Sequence, residues 1–271
     1  MEAETPIPDS VKEKKEKENF SDLCIYTTTF YGEDKTSQIR EKLAEKLLEN
    51  AAKLGIKCVV VDGGSNQNFL NKAISYKNVN LTVNPNLGMG ESRRESLRVA
   101  EKLGAPYYLW VEPEKYDLIK PESLKVMLDG LRKDKTDIVI PKRVSKESMP
   151  KLQAWIETRA NKRAKELLGG EFKTEEELDL WFGPKMFNRA GANYFLNYKG
   201  KLDKWDAVIK PVINAQHEGK RVSSVDVNYE YDISQSSSEV GDRNMKGKRL
   251  EQYTAILAEM GDSFWKDKNK I

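Results

Sequence analysis

Short apolar segments alternate with longer segments of helical periodicity through the first half of this chain. The apolar segments are rich in β-branched and aromatic residues, and each indicates a buried strand. They span residues 23–29, 58–61, 79–83, 107–111 and 137–140. The intervening segments carry apolar residues at helical spacing, and glycines such as Gly55 and Gly104 mark helix ends. Apolar strands separated by helices are typical of a mostly parallel sheet covered on both faces, so we predict an α/β fold.

The second half of the chain is less regular. Helical spacing predicts a long helix from Pro150 to Leu168 and another from about Trp205 to His217. Residues 182–187 indicate a short strand. Residues 221–231 indicate a strand that we place at the sheet edge, with an antiparallel direction as one option. Because no repeat or linker divides the chain, we expect three parts: a disordered charged leader over 1–20, one domain over 21–232, and a polar loop with an amphipathic helix packing on it over 233–271.

Charge and composition narrow the choice of function. The 46 basic and 43 acidic side chains leave a net charge of +3, too small to favour a nucleic-acid partner. The polar N-terminus lacks the apolar core of a signal peptide, and no segment has the apolar length of a transmembrane helix. Cys24 and Cys58 fall in predicted strands, which favours buried free thiols in a reducing compartment. We therefore expect a cytoplasmic protein without a transmembrane segment.

Two glutamates follow the fourth predicted strand. Glu112 and Glu114 lie two residues apart, on the same side of an extended backbone, and Pro113 opposes a helix there. Two carboxylates at the carboxyl end of a central strand suit a divalent cation that holds a diphosphate. The alternative is a surface loop that is acidic only because 33% of the chain is charged.

Five short motifs follow these elements in order. They are residues 27–33 after the first strand, 61–65 after the second, 86–90 after the third, 112–114 after the fourth and 215–222 at the late helix. Together they resemble the family 2 type of GT-A glycosyltransferase, with a core like that of dolichol-phosphate mannose synthase. In this chain Glu-Pro-Glu stands where the family has Asp-x-Asp. The resemblance implies a GT-A-like, Rossmann-like three-layer sandwich with a mostly parallel central sheet. It also implies transfer of a sugar from a UDP- or GDP-sugar to an unknown acceptor.

The resemblance assigns a donor nucleotide site. Its expected residues are Thr27, Thr29, Glu33, Asp62, Gly88, Gly90, Arg93 and Arg94. Asp62 would accept hydrogen bonds from the base, or else serve only as a turn-forming residue before two glycines. The two glycines would let the backbone approach a phosphate at a helix N-terminus. The arginines sit where the helix dipole disfavours cations. Their position indicates a nearby anion. The equally good alternative is that both arginines are solvated and that Glu91 and Glu95 balance their charge.

The resemblance also assigns catalytic and acceptor roles. Glu112 and Glu114 would hold Mg²⁺ or Mn²⁺ as a Lewis acid for the leaving diphosphate. Asp206 would be the general base, and the alternative for it is a carboxylate on a helix surface. Trp181 and Trp205 would line the acceptor side, although core packing explains either equally well.

Other functions fit less well. A dinucleotide-dependent oxidoreductase needs Gly-x-Gly-x-x-Gly directly after the first strand, and this chain has none there. A nucleotidyltransferase would carry a glycine-rich basic loop at the same place, which is also absent. The remaining alternative is a non-catalytic GT-A-like protein that binds a sugar nucleotide or a protein partner.

Overall fold

The computed structural model describes residues 18–133, 135–168, 178–200, 202–235, 247, 250–258 and 261. The strands are β1 (Leu23–Thr29), β2 (Lys57–Asp62), β3 (Val79–Val83), β4 (Tyr107–Trp110), β5 (Ile138–Arg143), β6 (Lys185–Asn188) and β7 (Val222–Val227). The helices are α1 (Lys35–Lys53), α2 (Gln67–Ser75), α3 (Met89–Lys102), α4 (Pro121–Lys133), α5 (Lys151–Leu168), α6 (Arg189–Leu196) and α7 (Lys210–His217).

The strands form one sheet of seven, in the order β3-β2-β1-β4-β6-β5-β7. The pairs among β1, β2, β3 and β4 are parallel, as is the pair of β5 with β7. Only β6 runs antiparallel, between β4 and β5. The predicted α/β fold with a mostly parallel sheet is confirmed.

Two expectations about the second half need correction. The edge strand β7 is parallel to β5, so the antiparallel option for residues 221–231 was wrong. The antiparallel strand is β6. The helices that follow β6 return the chain, so that β7 starts at the same end of the sheet as β5. An alternating apolar pattern fixes which face a residue occupies, but it does not fix strand direction. Helix α6 was not predicted; Asn188 caps it by accepting from the backbone N–H of Gly191 at 2.9 Å.

Each face of the sheet carries its own apolar layer, which explains the three-layer arrangement. Leu23 and Ile25 of β1 enter one layer, which contains apolar residues of α1, α2 and α4. Cys24 and Tyr26 point to the opposite face, where apolar residues of α3, α6 and α7 pack. Cys24 and Cys58 lie in different layers, on opposite faces of the sheet, so they do not pair with each other. Both are buried free thiols.

Parts of the expected domain organisation lie outside the described residues. This applies to residues 1–17 of the leader and to much of 233–271. Residues 250–258 form a helical segment, and Ile256 in it is fully buried in the layer that contains Cys24. No helix in the described ranges is long and apolar enough to cross a membrane.

Candidate functional site

The carboxyl ends of the parallel strands meet along one edge of the sheet. At this edge Thr29 of β1 is aligned with Asp62 of β2. Thr27 donates from its hydroxyl to the carbonyl oxygen of Val111 at 2.7 Å, which fixes the backbone just after β4. The acidic segment that follows β4 is therefore held at the same edge as the loops after β1 and β2.

A cavity of about 460 Å³ opens at this edge, and we divide its described lining into a first and a second wall according to the half of the chain that supplies the residues. The first wall comes from the first half of the chain and carries the charged residues Arg40, Arg93, Glu112, Glu114 and Lys115. The second wall comes from the second half and includes Gln153, Glu157, Trp181, Trp205, Tyr231 and Gln252. The structure thus brings Arg93, both glutamates and both predicted tryptophans into one cavity.

Each glutamate of the first wall has a cationic partner. Glu112 Oε2 lies 3.0 Å from Nζ of Lys115, and Glu114 Oε1 lies 3.0 Å from Nε of Arg40. Burial pushes the pKa of Glu112 upward, but Lys115 more than offsets this, and the pKa ends below its ordinary value. The Glu112 carboxylate also occupies the space beside Gly183, whose φ of +101° and lack of a side chain allow this approach.

The two glutamates offer the type of ligand that a divalent cation takes, with one condition. Their carboxylate oxygens are the hard ligands that Mg²⁺ and Mn²⁺ prefer, and Glu112 Oε2 accepts no aligned hydrogen bond from the described residues. No three acidic, histidine or cysteine side chains come together within the described ranges. A metal at Glu112 and Glu114 would therefore compete with Lys115 and Arg40.

Arg93 is the cation of the first wall that has no carboxylate within ion-pair distance among the described residues. It donates to the carbonyl oxygen of Lys204 and lies over the ring of Trp110, 5.0 Å from the ring centroid. Its Nε finds no hydrogen-bond partner in the described part of the chain. Burial lowers the pKa of Arg93, opposed by Glu112, yet an arginine stays protonated. This cation is therefore available to an anion in the cavity.

Arg94 has a different role from its neighbour. Its guanidinium binds both oxygens of Asp203, at 2.6 and 2.7 Å, and also pairs with Glu91. Asp203 packs so close to Gly90 that any side chain at position 90 would clash with it. Arg94 and Gly90 therefore anchor the segment around residue 203 and do not line the cavity. The pairing of Arg94 with Glu91, which the sequence analysis gave as an alternative to binding an anion, is present in the structure.

Asp62 is fully buried and its oxygens are occupied within the protein. Oδ2 accepts from Thr29 Oγ1 at 2.6 Å and from Ser65 Oγ at 2.5 Å. Oδ1 accepts from the backbone N–H groups of Gly64 and Ser65 at 2.8 and 2.7 Å. This is the turn-forming arrangement given above as the alternative, and a base contact by Asp62 stays a prediction.

The other predicted donor residues lie near the cavity without lining it. Glu33 is exposed in the loop before α1, and Gly88 is the N-cap of α3. Thr28, which lies between Thr27 and Thr29, and Met89, which follows Gly88, line the cavity instead. A donor-binding role for these residues stays a prediction.

Asp206 does not suit the predicted role of general base in this structure. It is 0% exposed, accepts from Tyr198 Oη at 2.6 Å and from the backbone N–H of Lys204 at 2.8 Å, and does not line the cavity. A general base must come within hydrogen-bond reach of the substrate hydroxyl. Here the carboxylate organises the loop that presents Trp205.

A buried polar network behind the second wall was missed. Gln153 donates through Nε2 to Glu157 Oε1 at 2.7 Å and to Tyr231 Oη at 2.8 Å. Arg143 donates to Glu157 Oε2 at 2.6 Å and also pairs with Asp179. The sequence does contain a signal for this network: Gln153 and Glu157 are four residues apart, so they lie on the same face of α5, next to its apolar stripe. Side chains at these positions face inward.

The fold and the cavity define a GT-A-like nucleotide-sugar transferase architecture. The sequence profile of Glycosyl transferase family 2 matches residues 29–195, and the chain belongs to this family. No curated protein matches it.

Solved structures show the same fold at low identity. Glucosyl-3-phosphoglycerate synthase from Mycobacterium tuberculosis, in complex with Mn²⁺, UDP-glucose and phosphoglyceric acid, is 13% identical with a TM-score of 0.58. The match covers 88% of this chain and 79% of that one. CMP:2-keto-3-deoxy-manno-octonic acid synthetase, complexed with CTP, is 10% identical with a TM-score of 0.52, over 86% of this chain and 99% of that one.

Proposed function

We propose that this protein transfers a sugar from a UDP- or GDP-sugar to an acceptor, with the donor diphosphate bound on the first wall. The carrying observation is that three cations, Arg40, Arg93 and Lys115, come together in the described lining of one cavity. Family membership and the UDP-glucose bound in one of the similar structures support this reaction class.

The first wall suits the charge that develops during transfer. As the bond between sugar and diphosphate breaks, negative charge accumulates on the leaving phosphate. Fixed cations in a partly buried site stabilise that charge. Arg93 is the best placed, because no carboxylate pairs with it in the described chain. Mg²⁺ or Mn²⁺ held by Glu112 and Glu114 would add Lewis-acid neutralisation of the same phosphate.

A second candidate is a non-catalytic protein that binds a sugar nucleotide or a protein partner. The observation that favours it is the pairing of both glutamates with Lys115 and Arg40, since a metal must displace these partners. The two functions differ in whether bound donor is consumed.

Thermal shift and donor turnover together separate the two candidates. We expect a UDP- or GDP-sugar to raise the melting temperature more with Mn²⁺ than with EDTA, and the donor to be consumed slowly. Glu114→Ala should abolish the metal-dependent part of the shift. Glu122→Ala, on the exposed first turn of α4, is the matched control and should behave as wild type.

The contrary outcomes are distinct. A shift without any release of UDP or GDP would favour the binding protein. Equal shifts with Mn²⁺ and EDTA would remove the metal from the proposal. The absence of a shift with every nucleotide sugar would leave only the fold.

A further inference from the structure

The outer face of α5 is basic, although the chain as a whole is close to neutral. Among the described side chains of this helix, the exposed charged ones are five cations and a single carboxylate, Glu166. The cations are Lys151, Arg159, Lys162, Arg163 and Lys165. The whole chain has a net charge of only +3, so this helix face concentrates positive charge that the rest of the surface does not share.

Most of the cations on this face have no carboxylate partner. Arg163 pairs with Glu166 at 3.0 Å. No carboxylate among the described residues lies within ion-pair distance of the other four cations. Arg159 lies instead over the ring of Trp155, 4.3 Å from the ring centroid. The face therefore carries positive charge that the described part of the chain does not neutralise.

Apolar side chains lie among these charges. Trp155 is 53% exposed and Leu152 is 40% exposed. Val144, which is 66% exposed, belongs to the loop before α5. Lys146 of that loop donates from Nζ to Thr158 Oγ1 at 3.2 Å and so holds the loop against the same helix. The surface thus combines cations with an exposed indole ring and exposed aliphatic groups.

We propose that this face docks the protein on the surface of an anionic lipid bilayer. Lysine and arginine side chains are attracted to anionic headgroups, and tryptophan prefers the boundary between headgroups and acyl chains. A nucleic acid would match the charge, but its phosphate backbone offers no apolar layer for Leu152 and Val144. The combination of charge and apolar groups favours the bilayer.

Docking on this face would bring the cavity close to the bilayer. The opposite side of α5 supplies Gln153, Ile156 and Glu157 to the cavity. A helix with its side chains is about 10 Å across, so only this thickness separates the bound surface from the second wall. The inference does not depend on the proposed function, because it rests on the outside of the helix.

Vesicle binding by the full chain tests the proposal. Sedimentation with vesicles of phosphatidylcholine alone is compared with sedimentation with vesicles that also contain about 30% phosphatidylserine. We expect binding to the anionic vesicles to be at least about tenfold tighter, and to weaken as NaCl is raised because salt screens exposed charges. Equal binding to both kinds of vesicle, or binding to neither, overturns the proposal.

A charge variant and its matched control locate the binding face. Lys162→Gln combined with Lys165→Gln should weaken binding to the anionic vesicles about 25-fold, because each cation near such a surface contributes about fivefold. Lys42→Gln combined with Lys102→Gln removes the same charge from exposed positions on α1 and α3, and should change binding by no more than about twofold. Equal losses in the two double variants would overturn the assignment to α5.

Tryptophan fluorescence tests whether Trp155 meets the lipid. The emission of the wild type should shift to shorter wavelength on anionic vesicles, because the indole ring leaves water. Trp155→Phe keeps an apolar ring, and should still bind the vesicles but lose this shift. A shift that persists in Trp155→Phe overturns the proposal. Tighter binding of an RNA oligonucleotide than of the vesicles, weakened by the same two lysine changes, would overturn it in favour of a nucleic-acid surface.

Discussion

The two walls of the cavity differ in how their polar groups are satisfied. On the first wall Glu112 and Glu114 pair with Lys115 and Arg40, whereas Arg93 has no carboxylate partner in the described chain and donates to the carbonyl oxygen of Lys204. On the second wall Glu157, the one charged side chain among its described residues, pairs with the fully buried Arg143. One cavity thus combines charges that a ligand could still engage with a charge that is already satisfied inside the protein.

The largest effect should come from Arg93→Gln, which removes the cation of the first wall that lacks a carboxylate partner. We expect the affinity for UDP or GDP to fall about 30-fold or more, measured by isothermal titration calorimetry, because a partly buried charged contact to phosphate is lost. Arg98→Gln is the control: Arg98 is half-exposed on the same helix and pairs with Glu91 and Glu95. Equal affinities for wild type and Arg93→Gln would contradict the charge asymmetry.

Lys115→Met should reduce donor affinity by a smaller factor, and the size of the reduction should depend on whether divalent metal is present. Without divalent metal, donor affinity should fall about tenfold, because a cation near the leaving phosphate is removed. With Mn²⁺ the loss should shrink, because Glu112 no longer has its lysine partner and binds the metal more readily. Titrating donor affinity against Mn²⁺ concentration checks this. An unchanged metal response would show that Lys115 and the metal do not compete.

Asp206→Asn tests the role of the loop behind Trp205. We expect a fall of a few degrees in melting temperature, corresponding to about 1–2 kcal/mol for hydrogen bonds to a buried charge. Turnover per folded molecule should stay within about twofold of wild type, because the carboxylate is not exposed to the cavity. Loss of turnover in a variant that folds and binds donor would instead restore Asp206 as the general base.

The smallest effect concerns Lys185, which is fully buried and donates to the carbonyl oxygens of Leu180 and Gly183. Burial lowers the pKa of its ammonium from 10.5 to about 7, opposed by Glu112. Between these pH values the folded protein binds fewer protons at Lys185 than the unfolded chain, so stability rises with pH. From pH 7 to about 8.5, the melting temperature of wild type should rise relative to Lys185→Met, because the other titrating groups are common to both proteins. Parallel curves would contradict this assignment.

Residues directly after a strand were predictable from sequence, whereas the pairing of distant side chains was not. Glu112 and Glu114 follow an apolar strand directly, so local pattern places them at the sheet edge. Arg94 and Asp203 are 109 residues apart, and their pairing depends on packing that no local pattern records. The antiparallel direction of β6 and the inward orientation of Gln153 are likewise set by tertiary contacts.

Local sequence patterns also do not show whether a side chain already has hydrogen-bond partners inside the protein. Asp62 lies at the predicted edge, but four donors within the protein occupy its oxygens. Asp206 lies beside a cavity residue, but its carboxylate is directed into the interior. Sequence alone placed these acidic groups at one edge of the sheet and could not show which of them remain accessible there.

Gly183 makes the two halves of the cavity mechanically dependent on each other. The Glu112 carboxylate fills the space where a side chain at position 183 would sit, and Trp181 lies only two residues earlier in the same turn. Any displacement of that turn would therefore press on, or release, the carboxylate of Glu112. A single glycine thus gives the protein a direct route by which a change at Trp181 is felt at Glu112.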